Sequence, residues 1–179
     1  MIKFAHKRLI FNFMPKIKLR PQKISDAKKF YEILNNQNFV YLTSVRPKSV
    51  LAEKNWLKGN TKRQKENTEW NYAIIYGEEV VGAIGVKINY HRRYVGEIGY
   101  FIDEKYWGKG IASRAVKLME DVCFKKLKLM RIEILMQPAN IASEKVAIKN
   151  GYRKEGRMRK ALKEKDGKMK DCYSYAKVL

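Results

Sequence analysis

The sequence predicts an α/β fold of the α+β kind: a mixed, mostly antiparallel sheet of about seven strands flanked by four helices. Three observations carry this. Trp70 to Asp103 reads as an antiparallel meander of three strands, parted by the turns Gly77-Glu78-Glu79 and His91-Arg92-Arg93. Gly108 to about Lys126 follows with Ile111, Ala115, Leu118, Met119 and Val122 at helical spacing. A strand, a capped helix and a hairpin then close the chain, giving the order β-α-α-β-β-β-α-β-α-β-β. No internal repeat is seen, so residues 16–179 are expected to form a single domain behind an N-terminal extension, residues 1–15.

The elements follow in order. Residues 1–14 (MIKFAHKRLIFNFM) are basic and apolar. Their apolar core is short, is broken by Asn12 and lacks a small-residue cleavage site, so no secretory leader is expected. A non-essential extension ahead of Met14 and a short surface helix are both open. Ile17 to Pro21 reads as a strand that proline ends. Ser25 is expected to cap a helix to about Asn36, with Ala27, Phe30, Ile33 and Leu34 on one face. Ser49 is expected to start a second helix through about Lys65, whose polar end, GNTKRQKENTE, reads as loop-like and mobile. In the meander, Val80 to Asn89 is apolar through its first half and therefore central. The next strand alternates Ile98, Tyr100 and Ile102 with Glu97, Gly99, Phe101 and Asp103. Arg131 to Met136 is a strand ended by Gln137-Pro138. Asn140 then caps a helix through Asn150, and Gly151 stops it. Tyr152 to about Arg159 and Asp171 to Leu179 form the hairpin, around the turn signal Asp166-Gly167.

The 179 residues suffice for one full core, and 45% hydrophobic with 12% aromatic residues argue against disorder. No apolar run approaches the ~20 residues of a membrane span, so a membrane partner is not expected and the expected location is cytoplasmic. Cys123 and Cys172 lack any CxxC spacing and read as reduced core residues. His6 and His91 sit in no ligand cluster, and no metal is expected. The charge is +21, from 39 basic and 18 acidic residues. It favours polyanionic neighbours such as a phosphorylated cofactor, RNA or an acidic protein surface; a solvated lysine-rich surface is equally open. It disfavours a polycationic acceptor, unless a local acidic pocket exists. No RNP1, zinc-finger or GXXG signature marks an RNA-binding fold.

Function is most legible in Glu97 to Ala115, EIGYFIDEKYWGKGIASRA. A strand there feeds Gly108-Lys109-Gly110 and then a helix. The first N–H groups of a helix have no intrahelical partners, its dipole adds positive potential, and glycines let a phosphate approach the backbone. A tight turn without a ligand would use the same residues.

Three motifs in register resemble the GNAT superfamily of N-acetyltransferases over about residues 16–179. The first is GYFIDEKYWGKGIASRA, similar to an acetyl-CoA pyrophosphate loop. The second is Asn140-Ile141-Ala142-Ser143. The third is Lys149-Asn150-Gly151-Tyr152-Arg153-Lys154-Glu155-Gly156, similar to the family's NGF-x-x-EG ending. They look most like the branch that acetylates N-terminal alanine or serine of ribosomal proteins, a branch that also holds antibiotic, polyamine and amino-acid acetyltransferases. The resemblance implies acetyl-CoA as cosubstrate. Its pantetheine would pair with backbone around Phe101, Ile102 and Asp103. Its pyrophosphate would sit on the N–H groups of Gly108, Lys109, Gly110, Ile111, Ala112 and Ser113, with Lys109 as a phosphate partner, and Asn140 would bond the pantetheine amide. The family often has Gln or Arg three residues before the second loop glycine; here that residue is Trp107.

Acetyl transfer to an amine needs a base for the amine's proton, a donor at the carbonyl oxygen and an acid for the departing thiolate. Glu97, on the strand face opposite Ile98 and Tyr100, is the candidate base; an ion pair with Arg92 or Arg93 is the alternative. Glu164 is a second candidate by resemblance, although the gap-free position is Leu162. The family's acid is a tyrosine seven residues after the Asn140 equivalent; here that position is Ala147, and Ser143 is the fallback. Asn140 and Ser143 also suit simple helix capping. Cys123 is read as core.

The expected function is transfer of acetyl from acetyl-CoA to a primary amine by direct attack, with a protein N-terminus such as a ribosomal protein's as acceptor. The alternatives are a small-molecule amine, and a non-catalytic module that binds acetyl-CoA or RNA. Residues 36–67, expected to build the acceptor pocket, hold only Glu53 and Glu66 as carboxylates, which disfavours a polyamine. Arg153 to Lys170 holds nine basic and three acidic residues. This reads as a basic wall that welcomes an acidic peptide or a ribosome- or RNA-bound protein, or else as a solvated hairpin edge. Monomer and homodimer are both open.

Overall fold

A computed structural model describes residues 15–41, 46–163 and 167–179. The extension up to residue 14, Glu164 and the turn residue Asp166 lie outside the described residues. The strands are β1 (Ile17–Pro21), β2 (Glu69–Tyr76), β3 (Glu79–Ile88), β4 (Val95–Ile102), β5 (Arg131–Met136), β6 (Arg153–Lys163) and β7 (Met169–Val178). The helices are α1 (Ala27–Leu34), α2 (Val50–Lys58), α3 (Asn60–Lys65), α4 (Ile111–Asp121) and α5 (Ile141–Lys149), with α2 and α3 joined at Gly59 as one bent segment. Among the described residues the sheet has seven strands in the order β1-β2-β3-β4-β5-β7-β6. Every pairing is antiparallel except β4 with β5. The expected sheet and its helices are present. No helix among the described residues is long and apolar enough to cross a membrane.

The strand period of two divides the side chains between two faces. Ile84, Val86, Ile98, Ile102, Ile132 and Ile134 form the larger core with Ile111, Ala115, Val116 and Met119 of α4. On the opposite face a smaller cluster joins Ala73 and Ala83 to Ala27 and Phe30 of α1 and Leu57 of α2. Phe30 is fully buried and meets the Phe101 ring edge-on at 5.5 Å. Burying such a side chain contributes roughly 2–3 kcal/mol.

Several local expectations are corrected. Ser25 does not cap α1. The chain enters through a 3-10 turn, Ile24–Asp26, and Asp26 anchors it, accepting the Lys23 N–H at 2.8 Å and two Arg20 bonds at 2.6 and 2.7 Å. The polar run after Gly59 is helical to Lys65, as the expected helix end has it, but as a separate short helix, α3, rather than a loop-like end. Its buried Asn60 accepts from Arg63 at 2.6 Å and from Asn71 at 3.2 Å, and donates to Gln22 at 2.9 Å. A side-chain network of this kind leaves no hydrophobic period to read. In α4, Val116 is buried and Leu118 is exposed, and the helix widens into a π turn over Val122–Lys126. Ser49 does cap α2, accepting from the Ala52 N–H at 3.1 Å.

Candidate active site

The site begins where two strands part. The parallel pairing of β4 with β5 runs Val95↔Arg131, Gly96↔Ile132, Glu97↔Glu133 and stops there. Asp103 gives its N–H to Val81 on β3 at 2.8 Å. By antiparallel alternation, Phe101 and Gly99 also turn their polar backbone groups to β3; on the β5 side the Glu97↔Glu133 pairing runs through Gly96 and Ile98, which leaves Tyr100 and Ile102 to turn theirs toward the opening. The Ile102 carbonyl accepts from the Trp107 indole N–H at 2.7 Å. Asp103 is occupied throughout: its carboxylate pairs with Lys29 and accepts the Lys105 N–H, and its carbonyl accepts from Tyr106. Burial pushes its carboxyl up, but those donors outweigh burial and hold it below the usual range. Of the backbone expected to meet a pantetheine arm, the Ile102 N–H is the group that faces the opening, with Tyr100 beside it.

Beyond β4 lies the glycine loop. Gly108 and Gly110 have φ of +74° and +71°, and a Cβ at either would meet nothing within 4 Å. Glycine is therefore needed for conformation, not space. Among the described residues no carbonyl takes the N–H groups of Gly108, Lys109, Gly110, Ile111, Ala112 or Ser113. They form a row of donors at the positive end of α4, which fits a pyrophosphate. The Lys109 ammonium lies over the Tyr106 ring at 4.9 Å. The Ser113 hydroxyl accepts from Asn150 at 3.0 Å, tying this loop to the Asn150-Gly151 motif.

On the larger-core face the start of α5 closes over the opening. Asn140 accepts the Ser143 N–H at 3.1 Å and so caps the helix. The Ser143 hydroxyl lies 2.9 Å from the Tyr100 phenol of β4. Burial pushes that phenol up to about 12, partly offset by Ser143. Sequence reasoning passed over Tyr100 as one apolar position in an alternation; nothing in a 43-residue separation pairs it with Ser143. Ala147, where the family's tyrosine is expected, is fully buried in the core. Cys123 is buried too, its thiol pushed up to about 12 by burial and by Glu120.

On the other face a cavity of about 390 Å³ opens beside β4, lined by Glu53, Glu69, Glu97, Phe30, Trp56 and Phe101 among others. Neither alternative partner holds Glu97: Arg92 reaches Glu133 at 4.0 Å, and Arg93 donates to the Glu66 and Asn67 carbonyls. Burial raises the Glu97 pKa, Lys87 opposes that and Glu133 adds to it. Glu69 pairs with Arg63 at 3.3 Å. Glu53 is 7% exposed, and burial raises its pKa against the nearby Arg63. Counting carboxylates within residues 36–67 misjudged this wall. Glu66 pairs instead with Lys62, while β2 and β4 supply Glu69 and Glu97. Lys87 lines the same cavity, so three carboxylates stand against one lysine, and a pocket with a net acidic lining that could admit a cation is present despite the +21 charge.

Residues 16–153 match the acetyltransferase (GNAT) domain family. The probable N-acetyltransferase YjcK of Bacillus subtilis is 30% identical over 82% of this chain and 86% of its own. The ribosomal-protein-serine acetyltransferase of Escherichia coli is 26% identical over 86% and 87%. Spermidine N(1)-acetyltransferase of the same organism is 28% identical over 79% and 75%. Mycobacterium smegmatis RimJ, solved in complex with CoA-disulfide, superimposes with a TM-score of 0.81 at 26% identity over 90% of this chain and 81% of its own. The open strand edge and the row of unpartnered N–H groups fit the same cosubstrate, and the chain belongs to the GNAT acetyltransferases, enzymes that use acetyl-CoA.

Proposed function

We propose that the protein transfers acetyl to a primary amine held in the pocket beside β4, and that its natural acceptor is the N-terminal α-amine of a protein such as a ribosomal protein, met in the cytoplasm. The observation that carries the reaction is the position of Glu97. It is the last β4 residue paired with β5 and also lines the acidic cavity, so it stands where the cosubstrate's opening and the acceptor's pocket adjoin.

Acetyl-CoA supplies an activated acetyl thioester when bound. The N–H groups from Gly108 to Ser113 hold its pyrophosphate, and the Ile102 N–H orients its arm. Glu97 takes the proton of the incoming ammonium, directly or through a water. A carboxylate pKa raised by burial lies closer to the working pH and makes a better-matched base. The Ser143 hydroxyl serves as donor on the sulfur side, and Tyr100 holds it in place. Tyr100 thus brings a phenol from β4 to the region that the family's helical tyrosine would serve, with Ala147 in that helical position.

The protein acceptor is supported by the motif resemblance to the ribosomal branch and by the ribosomal-protein-serine acetyltransferase among the relatives. The basic surface suits an acceptor next to RNA. A small cationic amine is the second reading, favoured by the three carboxylates of the pocket. The test is incubation with labelled acetyl-CoA and two pools: peptides with free N-termini, including ribosomal-protein starts, and small amines including polyamines. Label on peptide α-amines supports the first reading, and label confined to small amines selects the second. Bound acetyl-CoA with no label in either pool would overturn both.

A further inference from the structure

Of the three carboxylates in the acceptor pocket, two are accounted for. Glu69 is ion-paired with Arg63 at 3.3 Å. Glu97 sits opposite Lys87 across the β3–β4 pair, and the proposed function uses it as the base. Glu53 is left. It lies on α2, is more than nine-tenths buried and lines the cavity; its backbone N–H donates to the Ser49 carbonyl, but its carboxylate makes no hydrogen bond or ion pair among the described residues. Arg63 is near enough to be felt electrostatically, but its guanidinium donates to Asn60 and the Trp56 carbonyl and lies over the Trp56 ring, while its buried Nε is 3.3 Å from Glu69 without making a hydrogen bond. Desolvating a carboxylate without a partner is unfavourable by several kcal/mol, so a group kept in that state beside an open pocket points to a ligand. What completes it is a cation. The half-buried Phe101 ring in the same wall is compatible with one.

Resting on the acetyl-transfer reading above, we infer that Glu53 forms a second cation subsite, so that the preferred acceptor is a dication. One ammonium is delivered to Glu97 and acetylated, while a second positive centre in the same molecule is held by Glu53. That chemistry has two sources: a diamine, or a peptide whose free N-terminus is followed by a lysine or arginine. The first residues of a peptide would enter the pocket as a diamine would, with the second charge on a side chain.

The experiment compares matched acceptors in the full-length protein: butylamine against putrescine, and peptides beginning Ala-Leu against peptides beginning Ala-Lys. Each pair is run with the wild type, Glu53→Gln and Glu53→Asp, and the reading is the ratio of kcat/KM for dication over monocation. The expected wild-type ratio is roughly tenfold or more in one of the two pairs, which identifies the source. In Glu53→Gln it falls toward one; in Glu53→Asp, which keeps the charge on a shorter stem, it falls part of the way. A ratio near one in the wild type for both pairs, or a ratio unchanged in Glu53→Gln, overturns the subsite while leaving acetyl transfer standing. Acetyl-CoA binding without turnover of any amine overturns the transfer reading and the subsite with it.

Discussion

The phenol of Tyr100 and the hydroxyl of Ser143 lie 2.9 Å apart, joining β4 to the first turn of α5 across the mouth where β4 and β5 separate. With its pKa pushed up to about 12 by burial, Tyr100 stays protonated through any working pH; either hydroxyl can be the donor, and when Tyr100 donates to Ser143 Oγ the serine proton is free for another acceptor.

Tyr100→Phe and Ser143→Ala are each expected to lower kcat roughly tenfold, the worth of one hydrogen bond of about 1–1.5 kcal/mol in the transition state. The double variant should be little worse than Ser143→Ala, because the two act as one unit. Steady-state kinetics with acetyl-CoA affinity measured separately checks this. Effects that multiply would mean that the two groups work apart.

Gly110→Ala tests the loop. Its φ of +71° is uncomfortable for any residue with a Cβ, although open space surrounds the site. A penalty of ~1–2 kcal/mol is expected, with the strain relieved by turning the N–H row out of line. The KM for acetyl-CoA should rise by about tenfold or more while the acceptor KM changes little, and isothermal titration with CoA gives the same comparison without turnover.

Gly99→Val tests the pocket. Gly99 lines the cavity, and a Cβ there would meet nothing within 4 Å. Its φ is not in the left-handed region, so valine fits the strand. The branched side chain fills acceptor space: the acceptor KM should rise by roughly an order of magnitude or more while CoA binding is retained. Equal KM values in the two proteins would place the acceptor elsewhere.

Glu53 also makes a stability prediction. Its folded pKa is raised, so the folded protein holds a proton that the unfolded chain has released. That contribution is present below pH 4.5 and is lost as pH rises through the folded value. Thermal midpoints of the wild type should therefore fall relative to Glu53→Gln as pH is raised from 4.5 toward 8, by ~2–4 °C for each 1 kcal/mol. Asp26 works in the opposite sense at lower pH. Burial pushes it up, but Arg20 and Lys23 outweigh burial and hold it below the ordinary range. Its stabilisation is thus present above pH 3.8 and is lost as pH falls through the folded value.

Much of the fold could be read from the chain because its strands alternate cleanly and its helix signals are local. The Ser49 and Asn140 caps, the Gly151 stop and the Arg131–Met136 strand each depend on neighbours within a few residues. The glycine loop and the start of α4 were legible for the same reason: glycines and a helix start are adjacent in sequence. The acceptor side was not. Glu53, Glu69 and Glu97 come from α2, β2 and β4, and only the sheet register brings them to one wall. α3 fell within the expected second helix but read as loop-like, because buried amides and a guanidinium hold it rather than an apolar stripe. Tyr100 was missed because its ring does belong to the core face, and only its oxygen reaches Ser143.

The most direct measurement is the pH dependence of kcat/KM for the wild type and Glu97→Gln with one good amine acceptor. Glu97 must be ionised to take the proton, so wild-type activity should fall on the acid side through a single ionisation above the usual carboxylate range, as burial and Glu133 dictate. Glu97→Gln should retain acetyl-CoA binding, lose about 10²–10⁴ in kcat/KM and lose that acid limb. Wild-type activity in Glu97→Gln, or the same acid limb in both proteins, would show that the proton leaves by another route.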